Sequence, residues 1–480
     1  MAASGEARPV PSEVVASGLH PRTLATSVAD QSLSPAEQQW AWDLLPYQLN
    51  GVLALLAGPN LLLADDMGLG KTVQAIVAIR VLAARGLAKA VLIVVPASLT
   101  TQWRRELRVW APDLSAIVIR GAVRDRAWQW RSDANVVIVS YETLRSDLES
   151  GSASPPQTRH WDIVVLDEAQ KIKNRQVEIS GRIKSLNRTR SWALTGTPLE
   201  NRIEDLSSIL DFVDPVSTRS RTWNLFDRHA ELQLRRRKAD VLKDLPPKRI
   251  IDVPLEMTGS QRESYDRVQQ LGLIRLRAMG PDIRVANVLE LITRLKQVCN
   301  FDPVTRASVK LDDISMRLTA LVAEGHRALV FSQFTDDRFG VEAVAARLAA
   351  FRPLSFTGAL STDDRDRVTA EFKADRERQA LVLSLRAGAF GLNLQDASYV
   401  FHMDRWWNPA IERQAEDRSH RLGQQAPVTC YRYTIENTVE ERIDQILRSK
   451  QQLFDTIVDD VSLDLTATLS REEIFSLFGL

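Results

Sequence analysis

The sequence predicts an α/β fold built as two tandem blocks with parallel sheets and a mainly helical stretch between them, and three observations carry that prediction. Short apolar runs recur in two separate groups along the 480-residue chain. Within each group they are β-branched and continuous rather than alternating, as strands covered on both faces of a parallel sheet must be. Each group also alternates with helical patterns, the mark of layered α/β units. The length exceeds one ordinary core, and 44% apolar with 6% aromatic residues suffices for two.

Residues 1–38 are rich in Ala, Ser and Pro with little periodicity, which predicts a loosely ordered tail. The first block then brings "NLLLAD" (60–65), "AVLIVVP" (90–96), "NVVIVSY" (135–141), "DIVVLDEA" (162–169) and "SWALTGT" (191–197). From 199 to about 310 the strand pattern fades and the chain reads mostly helical, for example "QRESYDRVQQLGLIRLRAM". The two prolines of "LPPKR" (245–249) cannot continue a helix and mark a boundary. The second block follows with "RALVFSQF" (327–334), "PLSFTG" (353–358), "QALVLSL" (379–385), "ASYVFHMD" (397–404) and "VTCYRYT" (428–434). A last helical pattern, "ERIDQILRSKQQLFDTIV", is expected to pack back on the blocks.

Bulk numbers narrow the function classes. A net charge of +1 does not announce a nucleic-acid binder, so any such surface must be local. Residues 219–249 carry ten Lys or Arg against four Asp or Glu, including the run Arg235, Arg236, Arg237 and Lys238; by itself such a run reads as a solvated face. No uncharged apolar run reaches the roughly 18 residues a membrane span needs, and no basic-then-apolar leader follows Met1, so a cytoplasmic protein is expected. Cys299 and Cys430 are the only cysteines, in no metal-ligand spacing, which suits a reducing compartment.

The chemistry concentrates in "LLLADDMGLGKT" (61–72), a strand, a glycine loop and then the amphipathic "VQAIVAIRVLAARG". Gly68 and Gly70 let the backbone approach phosphate, Lys71 would meet the β and γ phosphates, and Thr72 would ligate Mg²⁺ at a helix N-terminus that favours anions. Asp65 stands where the strict G-x-x-x-x-G-K-[ST] pattern has its first glycine. "VVLDEAQ" (164–170) ends a strand in two carboxylates: behind a phosphate loop, Asp167 would hold Mg²⁺ and Glu168 would polarise the attacking water; alone, such a pair is equally a helix cap. "LTGTP" (194–198) closes another strand with Thr195 and Thr197, either as a turn stopped by Pro198 or as a coupling element.

Taken together, "YQLNG" (47–51), "DDMGLGKT", "VVPASLTTQW" (94–103), "DEAQ", "LTGTP", "LRRRKADVLKDLPPK" (234–248), "VFSQF" (330–334), "LSLRAGAFGLNLQDAS" (383–398), "DRWWNP" (404–409) and "RQAEDRSHRLGQ" (413–424) resemble, in that order, the SWI/SNF-like family of superfamily-two helicase-related ATPases. The resemblance covers roughly residues 40–455. It implies two tandem RecA-like lobes with helical protrusions between them: a tail (1–38), lobe 1 with a protrusion (39–245), a linker and second protrusion (246–310), lobe 2 (311–445), and a brace helix with its tail (446–480).

It further implies ATP and Mg²⁺ as cofactors and double-stranded DNA as partner, with a DNA-dependent ATPase that translocates without strand separation. An ATP-gated binding subunit for a nuclease, polymerase or antiviral defence complex is the alternative. The resemblance would have Gln48 contact adenine and extend the ATP site over Asp65, Met67, Gly68, Leu69, Gly70, Lys71 and Thr72. Arg418 and Arg421, three apart and so on one helical face, would be arginine fingers. Gln170, Thr195, Gly196, Thr197, Gly391 and Gln424 would couple the lobes, and Arg235, Arg236, Arg237, Lys238 and Arg386 would meet DNA. Gln170 replaces a common histidine; an amide still donates and accepts hydrogen bonds, so coupling should survive. Trp406 and Trp407 could stack on a base or pack between elements. The Arg-over-Lys bias and compact length suggest a bacterial source.

Overall fold

The structure, a computed structural model, describes residues 33–34, 37–38, 40–149, 154–172, 178–196, 203–215, 231–388, 392–406, 409–455 and 475–478. The chain divides into two compact units, Met1–Lys243 and Asp244–Leu480.

In unit 1 the strands are β1 (Asn60–Leu63), β2 (Val91–Val95), β3 (Ala116–Val118), β4 (Val136–Ser140), β5 (Trp161–Asp167), β6 (Arg188–Leu194) and β7 (Gln233–Leu234). They form a parallel sheet ordered β3-β4-β2-β5-β6-β1-β7. Successive side chains of a strand point to opposite faces, and the core obeys this. Leu61, Leu63, Val91, Ile93 and Val95 join Val52, Ile76 and Trp103 on one side, whereas Leu62, Leu92 and Val94 join Tyr141, Ile209 and Phe212 on the other. Both faces are covered, which is why the runs are continuously apolar.

The glycine loop leads into the helix Lys71–Ala84. The sequence predicts an amphipathic helix here. Instead Gln74 to Ile79 are all buried, followed by Val81 and Leu82, because this helix lies inside the helical layer.

In unit 2 the strands are β8 (Lys248–Leu255), β9 (Ala328–Ser332), β10 (Leu354–Phe356), β11 (Ala380–Ser384), β12 (Tyr399–His402) and β13 (Val428–Ile435), parallel and ordered β10-β11-β9-β12-β13-β8. All ten expected strands are present. β3, β7 and β8 are additional, and β8 lies in the stretch read as mostly helical. It is an edge strand with Ile250 and Ile251 46% and 40% exposed, and its Pro254 is tolerated because an edge leaves one side of the backbone unpaired.

Helices Gly259–Ala278 and Val285–Asn300 pack face to face, so closely that a Cβ on Gly272 would overlap Leu291. Their cluster includes Val439 and Ile443 of the helix Val439–Asp455, so the C-terminal helix does pack back on its unit. Beside it, Lys310 and Glu440 form a fully buried ion pair at 2.7 Å. Among the described residues no helix is long and apolar enough to cross a membrane.

Candidate nucleotide-binding site

Parallel strands bring their C-terminal ends to one edge of the sheet, and register decides which loops meet there. Leu63 of β1 is level with Leu194 of β6 and with Leu234 of β7, and Leu194 is level with Asp167 of β5. The glycine loop, the Thr195–Gly196 turn, the acid pair and the basic run therefore leave the sheet of unit 1 at the same height.

Gly68 and Gly70 adopt φ of +86° and +76°, the left-handed region that glycine enters without a Cβ penalty. Lys71 opens the following helix, and its Nζ donates to the carbonyls of Asp65 (2.6 Å) and Asp66 (3.2 Å), so the ammonium lies across the loop. Met67 and Thr72 flank it, half-buried. Gly196 approaches from β6: a Cβ there would overlap Met67 and lie 3.4 Å from Lys71 Nζ. Gln48, 7% exposed, faces the loop from the helix Pro46–Ala57, accepting from Leu45 N (3.1 Å) and donating to Leu69 O (3.4 Å). A Cβ on Gly70 would overlap its amide.

Asp65 and Arg236, 171 residues apart, meet in the interior of unit 1. The Asp65 carboxylate is fully buried; Oδ1 accepts from Arg236 Nε (2.9 Å), and Oδ2 accepts from Arg236 Nη2 (2.5 Å) and Gln74 Nε2 (3.2 Å). Arg236, 3% exposed, also donates to Gln74 Oε1 (2.8 Å) and to Tyr47 O. Each group is thus paired with the other, while the Asp65 carbonyl accepts from Lys71. Lys238 is likewise buried, and its backbone N–H donates to Asp66 Oδ2 (2.9 Å). Of that run, Arg235 is half-buried and Arg237 exposed.

At the end of β5, Asp167 is held from three sides. Its Oδ2 accepts from Trp103 Nε1 (2.7 Å), its Oδ1 from Glu168 N (2.9 Å), and its carbonyl from the Tyr141 hydroxyl (2.9 Å). Burial, with the Glu168 charge beside it, pushes the Asp167 carboxyl up to about 6. Glu168 has φ +51°, a left-handed conformation uncommon outside glycine. Gln170 Nε2 donates to Glu168 Oε2 (2.7 Å), while its Oε1 accepts from Thr195 Oγ1 (2.9 Å). One amide thus joins the acid to the end of the neighbouring strand.

The donor set fits a divalent cation. Two adjacent acids, one reluctant to ionise, are what a bound cation relieves. Among the described residues no three His, Cys, Asp or Glu cluster to cage a metal. A cation held by Asp167 and Thr72 would complete its shell from water and phosphate, which suits Mg²⁺.

In unit 2, Arg418 Nη1 and Arg421 Nη1 both donate to Leu392 O, at 3.5 and 3.4 Å. Their segment is rigidly built. Gln424 donates to Gln395 O (3.0 Å), Ala397 O (3.3 Å) and Ser419 O (3.1 Å), and accepts from Gln425 N and Ala426 N. Gly423 at φ +97° lies against Gln395. The preceding helix Pro409–Glu416 turns Glu412 and Glu416 inward, both fully buried. Glu416 meets Arg432 Nη2 (2.7 Å), Lys248 Nζ (2.9 Å) and His402 Nε2 (3.4 Å). Burial alone would raise its carboxyl, but His402, Lys248 and Arg432 hold it well below the ordinary carboxylate range. Arg405 is clasped by Glu412 (3.3 Å) and Asp444.

Trp406 packs against the apolar cluster of Phe331, Leu383 and Ala415, the packing alternative. Thr197, Gly391, Trp407 and the side chain of Arg386 lie outside the described residues; the Arg386 backbone belongs to the short helix Leu385–Gly388. Reading the sequence missed Trp103 and Tyr141 as supports of Asp167, and Glu416 as the buried acid that joins Arg432, Lys248 and His402. Trp103 closes the quoted "VVPASLTTQW", which was the available signal.

The SNF2-related domain family matches residues 47–303 and the helicase conserved C-terminal domain family residues 310–423. YwqA of Bacillus subtilis, named an ATP-dependent helicase/translocase, is 33% identical over 95% of this chain and 53% of its own length. The human SWI/SNF-related matrix-associated actin-dependent regulator of chromatin subfamily A member 1 is 30% identical over 90% of this chain and 46% of its own. The chain thus spans about half the length of the curated relatives it matches. The solved Sulfolobus solfataricus SWI2/SNF2 ATPase core in complex with dsDNA aligns at 28% identity over 92% of this chain and 98% of that one, with TM-score 0.42.

Proposed function

Since the chain belongs to the SNF2-related family, we propose that it is a DNA-dependent ATPase which moves along double-stranded DNA as its two RecA-like lobes close and open, without separating the strands. Family membership supports the hydrolase activity, as do the names of helicase and translocase relatives. The observation that carries the reading is the Glu168–Gln170–Thr195 chain, because it ties the acid that would orient water to the end of the next strand. A shift of either end is then felt at the other.

In this mechanism the loop amides and Lys71 bind the phosphates, with Lys71 exchanging the Asp65 and Asp66 carbonyls for phosphate oxygens. Gln48 positions the base. Asp167 and Thr72 would hold Mg²⁺, which would supply charge neutralisation at the transferred phosphoryl group. Glu168 orients the attacking water and accepts its proton. Arg418 and Arg421 are drawn to the γ-phosphate when the lobes close and are released after cleavage, so that lobe movement follows the hydrolytic cycle. Arg237 and Arg235 are the members of the basic run left to meet DNA phosphates, which position without reading sequence.

The test measures ATPase rate with double-stranded DNA, single-stranded DNA and RNA at two salt concentrations, together with triplex displacement on naked duplex. Stimulation by duplex and displacement by the isolated chain are expected. Displacement only on adding a partner protein would replace the motor with the ATP-gated switch, and equal stimulation by RNA would remove the duplex assignment.

A further inference from the structure

The crossing between the two units begins in the basic run and ends at the paired prolines, and both of its ends are fastened to elements already described. On the unit 1 side, β7 leads into a segment that runs along the phosphate loop: Ala64 N donates to Leu234 O (2.7 Å), Asp66 N to Arg236 O (3.0 Å), and Lys238 N to Asp66 Oδ2 (2.9 Å). Arg236 adds both oxygens of Asp65, the Gln74 amide and the Tyr47 carbonyl. Gly51 makes room for this assembly, since a Cβ there would overlap Gln74 and crowd the guanidinium. The loop, the helix bearing Gln48 and the start of the crossing therefore converge on one buried side chain.

On the unit 2 side, His420 Nε2 lies 2.8 Å from Pro246 O. A carbonyl can only accept, so Nε2 carries the proton. Val428 N donates to Pro247 O (3.1 Å). Lys248 Nζ reaches Glu416 Oε2 (2.9 Å) and Asp417 Oδ1 (4.0 Å). His420 and Glu416 bracket Arg418, and Arg421 follows directly. Only residues 239–245 lie between the last fastening on one side and the first on the other.

We propose that Arg236 and Lys248 are positioning residues that make residues 239–245 a strap, bound at one end to the phosphate loop and at the other to the segment bearing Arg418 and Arg421. The inference rests on the reading of those two arginines as γ-phosphate contacts. It goes beyond that reading by assigning the covalent crossing a part in catalysis: movement of the phosphate loop is carried along the strap to the arginines, and the reverse.

The full chain tests this with Lys248→Met, Lys248→Arg, a Gly/Ser insertion after Lys243 that doubles the length of 239–245, and Arg421→Ala as control. Steady-state duplex-stimulated kcat is read beside the Kd of a fluorescent ATP analogue and the melting temperature. A loose tether of doubled length lowers the effective concentration of its ends only about threefold. A strap that couples the sites predicts a kcat loss of about tenfold or more for both the insertion and Lys248→Met, with unchanged Kd in both, an unchanged melting temperature in the insertion, a lowered one in Lys248→Met that still leaves the chain folded at the assay temperature, and substantial recovery in Lys248→Arg. A loss of threefold or less in both variants overturns the strap, as does a kcat loss that is matched by lost nucleotide binding or unfolding. If Arg421→Ala keeps wild-type turnover, the finger reading is what fails. If Arg421→Ala is inactive while the insertion and Lys248→Met are not, the strap alone fails.

Discussion

Glu168 shows how much of the chemistry rests on single side chains. Its left-handed backbone costs about 1–3 kcal/mol for a non-glycine residue, and the neighbours that hold it there are the Asp167 carboxylate, which accepts its N–H, and the Gln170 amide. Glu168→Gln removes the acceptor and is expected to trap bound ATP while turnover vanishes; normal single-turnover hydrolysis would sink its role. An arginine finger accelerates phosphoryl transfer about 10³–10⁵-fold. Arg421→Ala should therefore lose nearly all stimulated ATPase yet keep ATP affinity, which a binding titration beside the rate assay can separate.

The placing of Lys71 behind the glycine loop and of Asp167 and Glu168 at a strand end on the same edge was legible, because phosphate and metal chemistry calls for those residue types at such spacings. Arg236 was not. Four consecutive basic residues look like a solvated face, and the acid that buries Arg236 lies 171 positions away. Nor does spacing reveal a backbone angle such as that of Glu168.

At the level of elements, continuous apolar runs located every two-faced strand. β7 is two residues long, too short for a pattern, and β8 mixes exposed isoleucines with Pro254, so neither carries the signature of a buried strand. In the helix Pro409–Glu416, helical spacing cannot say which acids find cations inside. Its Glu416 makes a pH prediction. The carboxyl sits well below its ordinary 4.5 in the folded chain, so the stability it contributes is present above about that pH and drains away as acid protonates it. The Lys248 amine is desolvated, but Glu416 and Asp417 more than compensate and raise it above its ordinary 10.5. Its contribution therefore holds below that pH and is lost as alkali removes the proton.

The contribution of this pair to the melting temperature should thus be level between these limits and fall on both sides. Glu416→Gln should lower the plateau, since breaking a buried pair costs about 3–5 kcal/mol, and should flatten the acid limb. An acid limb identical to wild type would assign the pH response elsewhere.

For the whole molecule, near-zero net charge and a local basic run fit a binder that meets DNA through a confined patch. Phosphate contacts release counterions, so raising salt from about 50 to 200 mM should cost on the order of 10³ in duplex affinity if about six phosphates are engaged. Fluorescence anisotropy across that range decides it, and a flat salt response would remove the phosphate-dominated mode. Arg237→Ala should lower the slope by about one contact without altering ATPase at saturating DNA, whereas Arg236→Ala should instead destabilise unit 1 by about 3–5 kcal/mol.

The buried Asp65–Arg236 pair has a consequence for anyone who would borrow this nucleotide site. A peptide copied from Leu61 to Thr72 into another scaffold would arrive with a naked carboxylate in its interior, and restoring the consensus glycine at position 65 in the native chain would strand a guanidinium instead. The phosphate loop of this protein is inherited in two pieces, and neither works as a module without the other.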